Sequence, residues 1–352
     1  MKMVFVKNLD GTETLAKNIL TDDGKVLLKS GTKITREYIS RLKSCGVFFV
    51  YVEDDELFDV SDDKILSELK QATLEHIPKI FDDLMSCDED NIKESMRRID
   101  NLVDYIIKAG DINTNLYEVK TFDNYTYIHS VNTAIMASFL GLSLNLNLRE
   151  LKDLCIGAVL HDIGKTKIPN SIINKNGSLT SMEYEIVKKH PEYGATILRK
   201  ANFGSDTVLS VVLQHHERCD GKGYPHHLKE EEISLSAKIT SICDVFTALS
   251  ANRSYRSRFN PHEAYEYILS GGGTMFDLNL VEKFRKTFSV YPLGCCVKLS
   301  NGIEGYVVKQ NAAYPDRPVL RVLYDHNSRQ KIQPYEINLL DTRNLIIEAL
   351  VI

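Results

Sequence analysis

Histidines 215 and 216 stand side by side in the stretch HHERCDGKGYP (215–225), and eight of the ten histidines fall between residues 112 and 290. An imidazole is costly to bury without a partner, so a fold that collects these residues must give them a shared task. In LKDLCIGAVLHDIGK (151–165), Leu151, Leu154, Cys155, Ala158 and Asp162 recur at helical spacing, and Gly164 suits the helix end. Asp162 thus falls on the buried stripe with His161 beside it, and a buried carboxylate must meet a cation or a metal. Lys165 is the nearest such cation in the sequence.

The next helix opens with Thr180 and Glu183 at capping-box spacing and is expected to run to His190, where Pro191 ends it. Taken alone, His190 reads as an ordinary packed or surface histidine. In DTVLSVVLQHHE (206–217) the stripe Val208, Val211, Val212 runs on into His215. Adjacent helical residues point about 100° apart, so His215 and His216 can line one site from two sides. The helix SAKITSICDVFTALS (236–250) buries Ile239, Ile242, Cys243, Phe246 and Leu249, leaving Asp244 on a stripe of small residues with Ala237, Thr240, Ser241 and Ala248. His129 in YTYIHSVNTAIMA (125–137) completes the set.

Five imidazoles and two carboxylates form a donor set of nitrogen and oxygen. It suits Fe, Mn, Zn or Co, and neither calcium nor a thiolate-bound zinc. Seven donors exceed what one ion takes while keeping an open position, and one carboxylate shared by two ions resolves the count. Two ions about 3.5–4 Å apart are a usual device for hydrolysing a phosphodiester. In DGKGYP, Gly221 and Gly223 permit a sharp turn beside this cluster, Pro225 fixes the exit, and Tyr224 offers an aromatic face or a hydroxyl.

His129, the pair His161-Asp162 and Asp244, in that order on separate helices, resemble the HD phosphohydrolase superfamily. His190, His215-His216 and Gly223-Tyr224-Pro225 resemble its HD-GYP branch, bacterial cyclic di-GMP phosphodiesterases. HDIGK, HPEYG, HHERCDGKGYP and AKITSICDVFTALSANRSYRS appear in order, over about residues 112–290. The resemblance implies one metal held by His129, His161, Asp162 and Asp244, and another held by His190, His215 and His216 with Asp162 bridging. It implies two divalent ions, iron or manganese, and attack by a hydroxide they share. Asp162 and Lys165 would carry the chemistry, Lys165 at a phosphate oxygen or the leaving group. Arg253 and Arg256, with Tyr224, would hold the substrate, and the GYP loop would also contact a partner protein. Members with a third metal carry a glutamate one turn before the first histidine; Tyr125 stands there in this chain. A two-metal centre releasing mainly pGpG, with GMP only slowly, is therefore expected. The alternatives are hydrolysis of another cyclic dinucleotide or nucleotide, and a sensor that binds cyclic di-GMP without turnover.

Composition bounds the rest. At 352 residues, 43% hydrophobic and 26% charged, the chain is an ordinary globular protein with room for more than one domain. A net charge of −5 gives no case for nucleic acid or an anionic membrane. The longest apolar run, GVFFVYV (46–52), cannot span a bilayer. Seven cysteines without pairing rhythm suggest reduced thiols in a cytoplasm. The expected fold is mainly α: a catalytic helical domain at 112–290, a small N-terminal α/β module at 1–56 and a small antiparallel β module at 291–352. In the first module Thr35 is expected to cap a helix and Gly46 to stop it. Residues 57–111 read as two helices, with stripes Leu66, Leu69, Thr73, Ile77, Phe81, Leu84 and Ile92, Met96, Ile99, Val103, Ile106. They serve as a spacer, as a homodimerisation element, or as packing within the chain, with Pro78 expected to kink the first. The Asn301-Gly302 pair between alternating runs predicts a hairpin.

Overall fold

The computed structural model describes residues 1–351 apart from 22–24, 46, 62, 110–125, 176, 251–260, 290 and 312–313. The chain opens with β1 (Lys2–Phe5), β2 (Ile19–Leu20), β3 (Val26–Leu28), α1 (Arg36–Ser44) and β4 (Phe49–Val52). β1 pairs antiparallel with β4, and β2 with β3. Thr35 caps α1 as expected, its side chain accepting from the Tyr38 N–H; the expected stop at Gly46 lies outside the described residues.

Two long helices follow, α2 (Lys64–Ser86) and α3 (Glu89–Ala109), and α2 continues through Pro78 as one element. Then come α4 (Thr126–Ser143), α5 (Leu148–Leu160), α6 (Asn170–Ile173), α7 (Ser181–Val187), α8 (His190–Lys200), α9 (Asp206–Gln214), α10 (Leu235–Ser250), α11 (Pro261–Ser270) and α12 (Leu278–Thr287). Both stripes of α2 and α3 are consumed within the chain. Ile77, Phe81 and Leu84, with Ile92, Ile99 and Val103, lie in one buried core with Ile135, Leu154, Leu198, Ile242 and Phe284. Each such side chain contributes about 1.5–3 kcal/mol by leaving water, which gives these helices a reason to pack rather than to extend as a spacer. No helix among the described residues is long and apolar enough to cross a membrane.

The C-terminal part is an antiparallel sheet of β5 (Cys296–Leu299), β6 (Glu304–Lys309), β7 (Val319–Tyr324), β8 (Lys331–Asn338) and β9 (Ile347–Leu350), in the order β8-β7-β6-β5-β9. The expected hairpin joins β5 to β6, with Gly302 at a φ of +86° that a side chain would resist. The two ends of the chain, read from sequence as separate modules, share a core. Met1, Met3, Tyr51 and Leu57 pack with Val297, Leu299, Val307 and Leu320. At its edge the Arg321 guanidinium donates to both Asp59 carboxylate oxygens at 2.7 Å and to Glu336 at 2.7 Å.

If α2 belongs to the core that carries the histidines, Ile77→Ala should destabilise the whole helical region by about 2–5 kcal/mol. Urea unfolding followed by far-ultraviolet circular dichroism measures this. An unchanged midpoint would return α2 to the role of spacer.

Candidate metal centre

Helix ends deliver most of the histidines. α5 stops at Leu160, His161 is its C-cap, and Asp162 leads into a 3-10 turn, Ile163–Lys167. The helical stripe expected to reach Asp162 has therefore already ended. Gly164 is required by close approach rather than by a cap: a Cβ there would lie 1.9 Å from the His190 carbonyl oxygen and 2.5 Å from the Gly194 nitrogen. The Thr180–Glu183 capping box forms as expected. The expected end at Pro191 is overturned, because α7 finishes at Val187 and His190 with Pro191 opens α8. Proline suits that first turn, where its missing N–H would have had no intrahelical acceptor. His215 is the C-cap of α9, and His129 and Asp244 lie within α4 and α10.

The fold brings all seven residues into one cluster. Candidate donor atoms of Asp162, His190, His215 and His216 lie within 4.8 Å of one another, as do those of His129, His161 and Asp162, and those of His161, His215 and Asp244. His129 Nε2 is 2.8 Å from Asp244 Oδ1, and His190 Nε2 is 3.3 Å from Asp162 Oδ1. His216 turns Nδ1 toward Asp244 at 3.9 Å. Lys165 Nζ lies 2.5 Å from Asp162 Oδ2.

Hydrogen bonding on the outer nitrogens fixes what the inner ones can do. Nδ1 of His161 lies 2.7 Å from the Ala158 carbonyl, that of His190 2.8 Å from Val187, and that of His215 3.0 Å from Val212. A carbonyl only accepts, so each Nδ1 carries a proton, and each of these rings when neutral presents a bare Nε2. Yet His190 Nε2 and His215 Nε2 are 3.2 Å apart, and His161 Nε2 and Asp162 Oδ1 are buried with no hydrogen bond. Lone pairs converging this closely need a cation among them. The donors present fit a divalent metal.

The charge states of His190, His215 and His216 agree with that fit. Burial pushes the His190 imidazole down to about 3 and His216 to about 4, and holds His215 well below its ordinary value. All three are thus neutral, with lone pairs available, at physiological pH. Burial alone would raise the Asp162 carboxyl, but the Lys165 ammonium and the His161 and His190 rings outweigh it and hold it well below the usual range. At His161 burial lowers the pKa, whereas Asp162 and Asp244 prevail and raise it.

The sequence did not single out Thr247, Thr133 or Glu217. Thr247 lies one turn after Asp244, and that spacing was the available signal. Its Oγ1 is 3.1 Å from His129 Nδ1, 2.8 Å from Thr133 Oγ1 and 2.9 Å from the Cys243 carbonyl. Donating to the carbonyl leaves the hydroxyl to accept from His129 Nδ1–H, which orients a histidine inside a helix. Glu217, fully buried, accepts from the His226 and Leu228 N–H groups at 2.6 and 3.0 Å and pins the loop after the histidine pair. The loop then lays Tyr224 on the cluster, its ring centroid 4.7 Å from that of His216 and 6.4 Å from that of His190. Arg253, Arg256 and Tyr125 lie outside the described residues.

The HD domain family matches residues 118–280, and a KOW domain associated with HD domain matches residues 296–351. The chain is 34% identical over 243 residues to a cyclic di-GMP phosphodiesterase of Pseudomonas aeruginosa, covering 68% of this chain and 58% of that protein. It is 31% identical over 216 residues to a cyclic di-GMP phosphodiesterase of Borreliella burgdorferi, covering 60% and 57%. A 3'3'-cGAMP-specific phosphodiesterase of Vibrio cholerae is 41% identical over 124 residues, 35% of this chain and 24% of that one. The chain thus spans less than two thirds of the length of these relatives. An HDG"Y"P protein from Bdellovibrio bacteriovorus shares the fold, with a TM-score of 0.53 at 18% identity over 80% of this chain and 97% of that one. The helices that gather the histidines are those of the HD domain. With its adjacent histidines and GYP loop, the segment 118–280 is an HD domain of the HD-GYP type.

The loop tolerates no side chain at Gly223, where a Cβ would meet Arg218 N at 2.4 Å, Glu217 Cα at 2.5 Å and the His216 oxygen at 2.6 Å. All three are backbone atoms. Gly223→Ala should therefore cost at least about 2 kcal/mol, read as a fall in the chemical-denaturation midpoint; wild-type stability would contradict this packing.

Proposed function

We propose that this chain is a metal-dependent phosphodiesterase that hydrolyses cyclic di-GMP, yielding mainly linear pGpG with slow release of GMP. The observation that carries the reading is the approach of the His190 and His215 Nε2 atoms, 3.2 Å apart, beside an Asp162 oxygen without a hydrogen bond. In this reading His129, His161, Asp162 and Asp244 hold one divalent ion, and His190, His215 and His216 hold a second with Asp162 shared. Iron or manganese suits the mixed nitrogen and oxygen donors. When bound, such ions supply Lewis acidity and a nucleophile from water at neutral pH.

The chain's own residues do the rest. Asp162, held ionised by Lys165, keeps the negative charge that ties the two halves of the cluster together. Lys165, partly exposed beside it, can turn its ammonium to a phosphate oxygen or return a proton to the leaving oxygen. Tyr224, its ring 4.7 Å from that of His216, meets the substrate, and Arg253 and Arg256 hold its phosphates. Preference for pGpG rests on Tyr125, a phenol where a third ion would need a carboxylate. Seven cysteines without a disulfide suit a reducing cytoplasm. Cyclic di-GMP is favoured by the names of the Pseudomonas and Borreliella relatives; the Vibrio relative supports hydrolysis of cyclic GMP-AMP as the second reading.

Protein purified anaerobically should contain about two transition-metal ions per chain and convert cyclic di-GMP to pGpG in a chromatographic assay, faster than it converts cyclic GMP-AMP. Hydrolysis that persists in excess EDTA overturns the metal mechanism, and binding without turnover makes the chain a sensor. Asp162→Ala should lose both ions. Thr247→Val should weaken metal binding about 10–100-fold, the usual cost of losing a ligand's hydrogen-bond partner, and Thr247→Ser should restore it. Equal metal affinity in all three would remove Thr247 from the centre.

A further inference from the structure

We propose that Lys188 and Tyr184 form a subsite for the distal half of the substrate, taking the phosphate that does not react and the guanine next to it. The inference rests on the reading of the site as a cyclic dinucleotide hydrolase. Lys188 is the C-cap of α7, two residues before His190. Its ammonium stands 5.9 Å from the Tyr224 ring centroid and 5.2 Å from that of Tyr184. Tyr224 in turn stands 4.7 Å from the His216 ring. One aromatic ring therefore separates this cation from the metal cluster.

A cation beside a site built to hold divalent metal is repelled by the bound ions unless an anion joins them. A cyclic dinucleotide brings two phosphates, and only one can occupy the reacting position. The other needs a positive group about one ribose away, on the rim. Lys188 meets that need on the wall of His190 and His216. Its contact with Glu185, at 2.6 Å one turn back, is a surface ion pair of small worth that a phosphate can replace. Tyr184 is 47% exposed, and its neighbours along α7, Met182 and Ile186, are exposed too. A base can therefore stack on its ring, a contact indifferent to base edge. Neither residue touches the donor cluster itself, which makes them binding residues rather than catalytic ones.

The test compares cyclic di-GMP with bis(p-nitrophenyl) phosphate, a diester with one phosphate and no guanine, on the metal-loaded full chain. Lys188→Ala should raise KM for cyclic di-GMP about tenfold, the loss of one charge-assisted phosphate contact at a partly solvated rim. For the one-phosphate diester the rise should stay below about threefold, and kcat for cyclic di-GMP should change less than KM. Lys188→Arg should restore most of the affinity, whereas Tyr184→Ala should raise KM for cyclic di-GMP with metal content equal to wild type. An equal loss on both substrates would mean that the metal site itself is disturbed, and wild-type KM in Lys188→Ala would leave the lysine to its surface pair; either overturns the subsite. A wild-type chain that cleaves bis(p-nitrophenyl) phosphate but no cyclic dinucleotide overturns the substrate reading and the subsite with it.

Discussion

A buried carboxylate surrounded by bare imidazole nitrogens cannot stand without positive charge, and the organisation of the helical region follows from that constraint. Asp162 is 2% exposed, with one oxygen on Lys165 and the other facing His190 without a hydrogen bond. Lys165 balances one charge, but it does nothing for the lone pairs that His190 and His215 aim at each other. Only a cation placed among these atoms satisfies them together, and a divalent metal has the charge and the coordination to do so.

The helix ends explain how the chain affords such a cluster. The last carbonyls of any α-helix lack intrahelical donors. Here those groups are used: Ala158 near the end of α5, Val187 at the end of α7, and Val212 in the last turn of α9 each face a histidine Nδ1. One bond thereby satisfies a carbonyl, fixes a tautomer and aims Nε2 inward. His129 sits inside α4, away from such an end, and a threonine hydroxyl from α10 serves instead. The outer bonds thus belong to the helix framework, so loosening a helix end would also loosen a metal donor.

The parts outside the HD match are tied to each other and to this framework. α2 and α3 lie in the same buried core as the helices that bear the histidines, so strain in them reaches α4 and α5 through packed side chains. The first and last parts of the chain meet in their own core, which Arg321 borders with its bonds to Asp59 and Glu336. A change at either end of the sequence therefore acts on one joint body.

The candidate donors were legible in the sequence as a set, because His129, His161-Asp162, His190, His215-His216 and Asp244 stand out by residue type and order, and the Asn301-Gly302 hairpin is a matter of local φ. Local rules erred where a long-range contact decided the geometry. Pro191 suits a helix start as well as an end, and only the packing of α8 on the 3-10 turn at Gly164 settled which. Asp162 fits a helical stripe, yet the chain leaves the helix at His161 to reach α8. Thr247 and Glu217 were not read as functional residues because their contacts are hydrogen bonds to His129, 118 residues away, and to a loop that folds back over the site. Residue type, helical period and turn chemistry are local, so the sequence alone picked out the seven residues that cluster and the helical region that carries them. Which nitrogen faces inward, and which terminal module packs on which, depend on distant atoms brought into contact, and only the tertiary structure decided them.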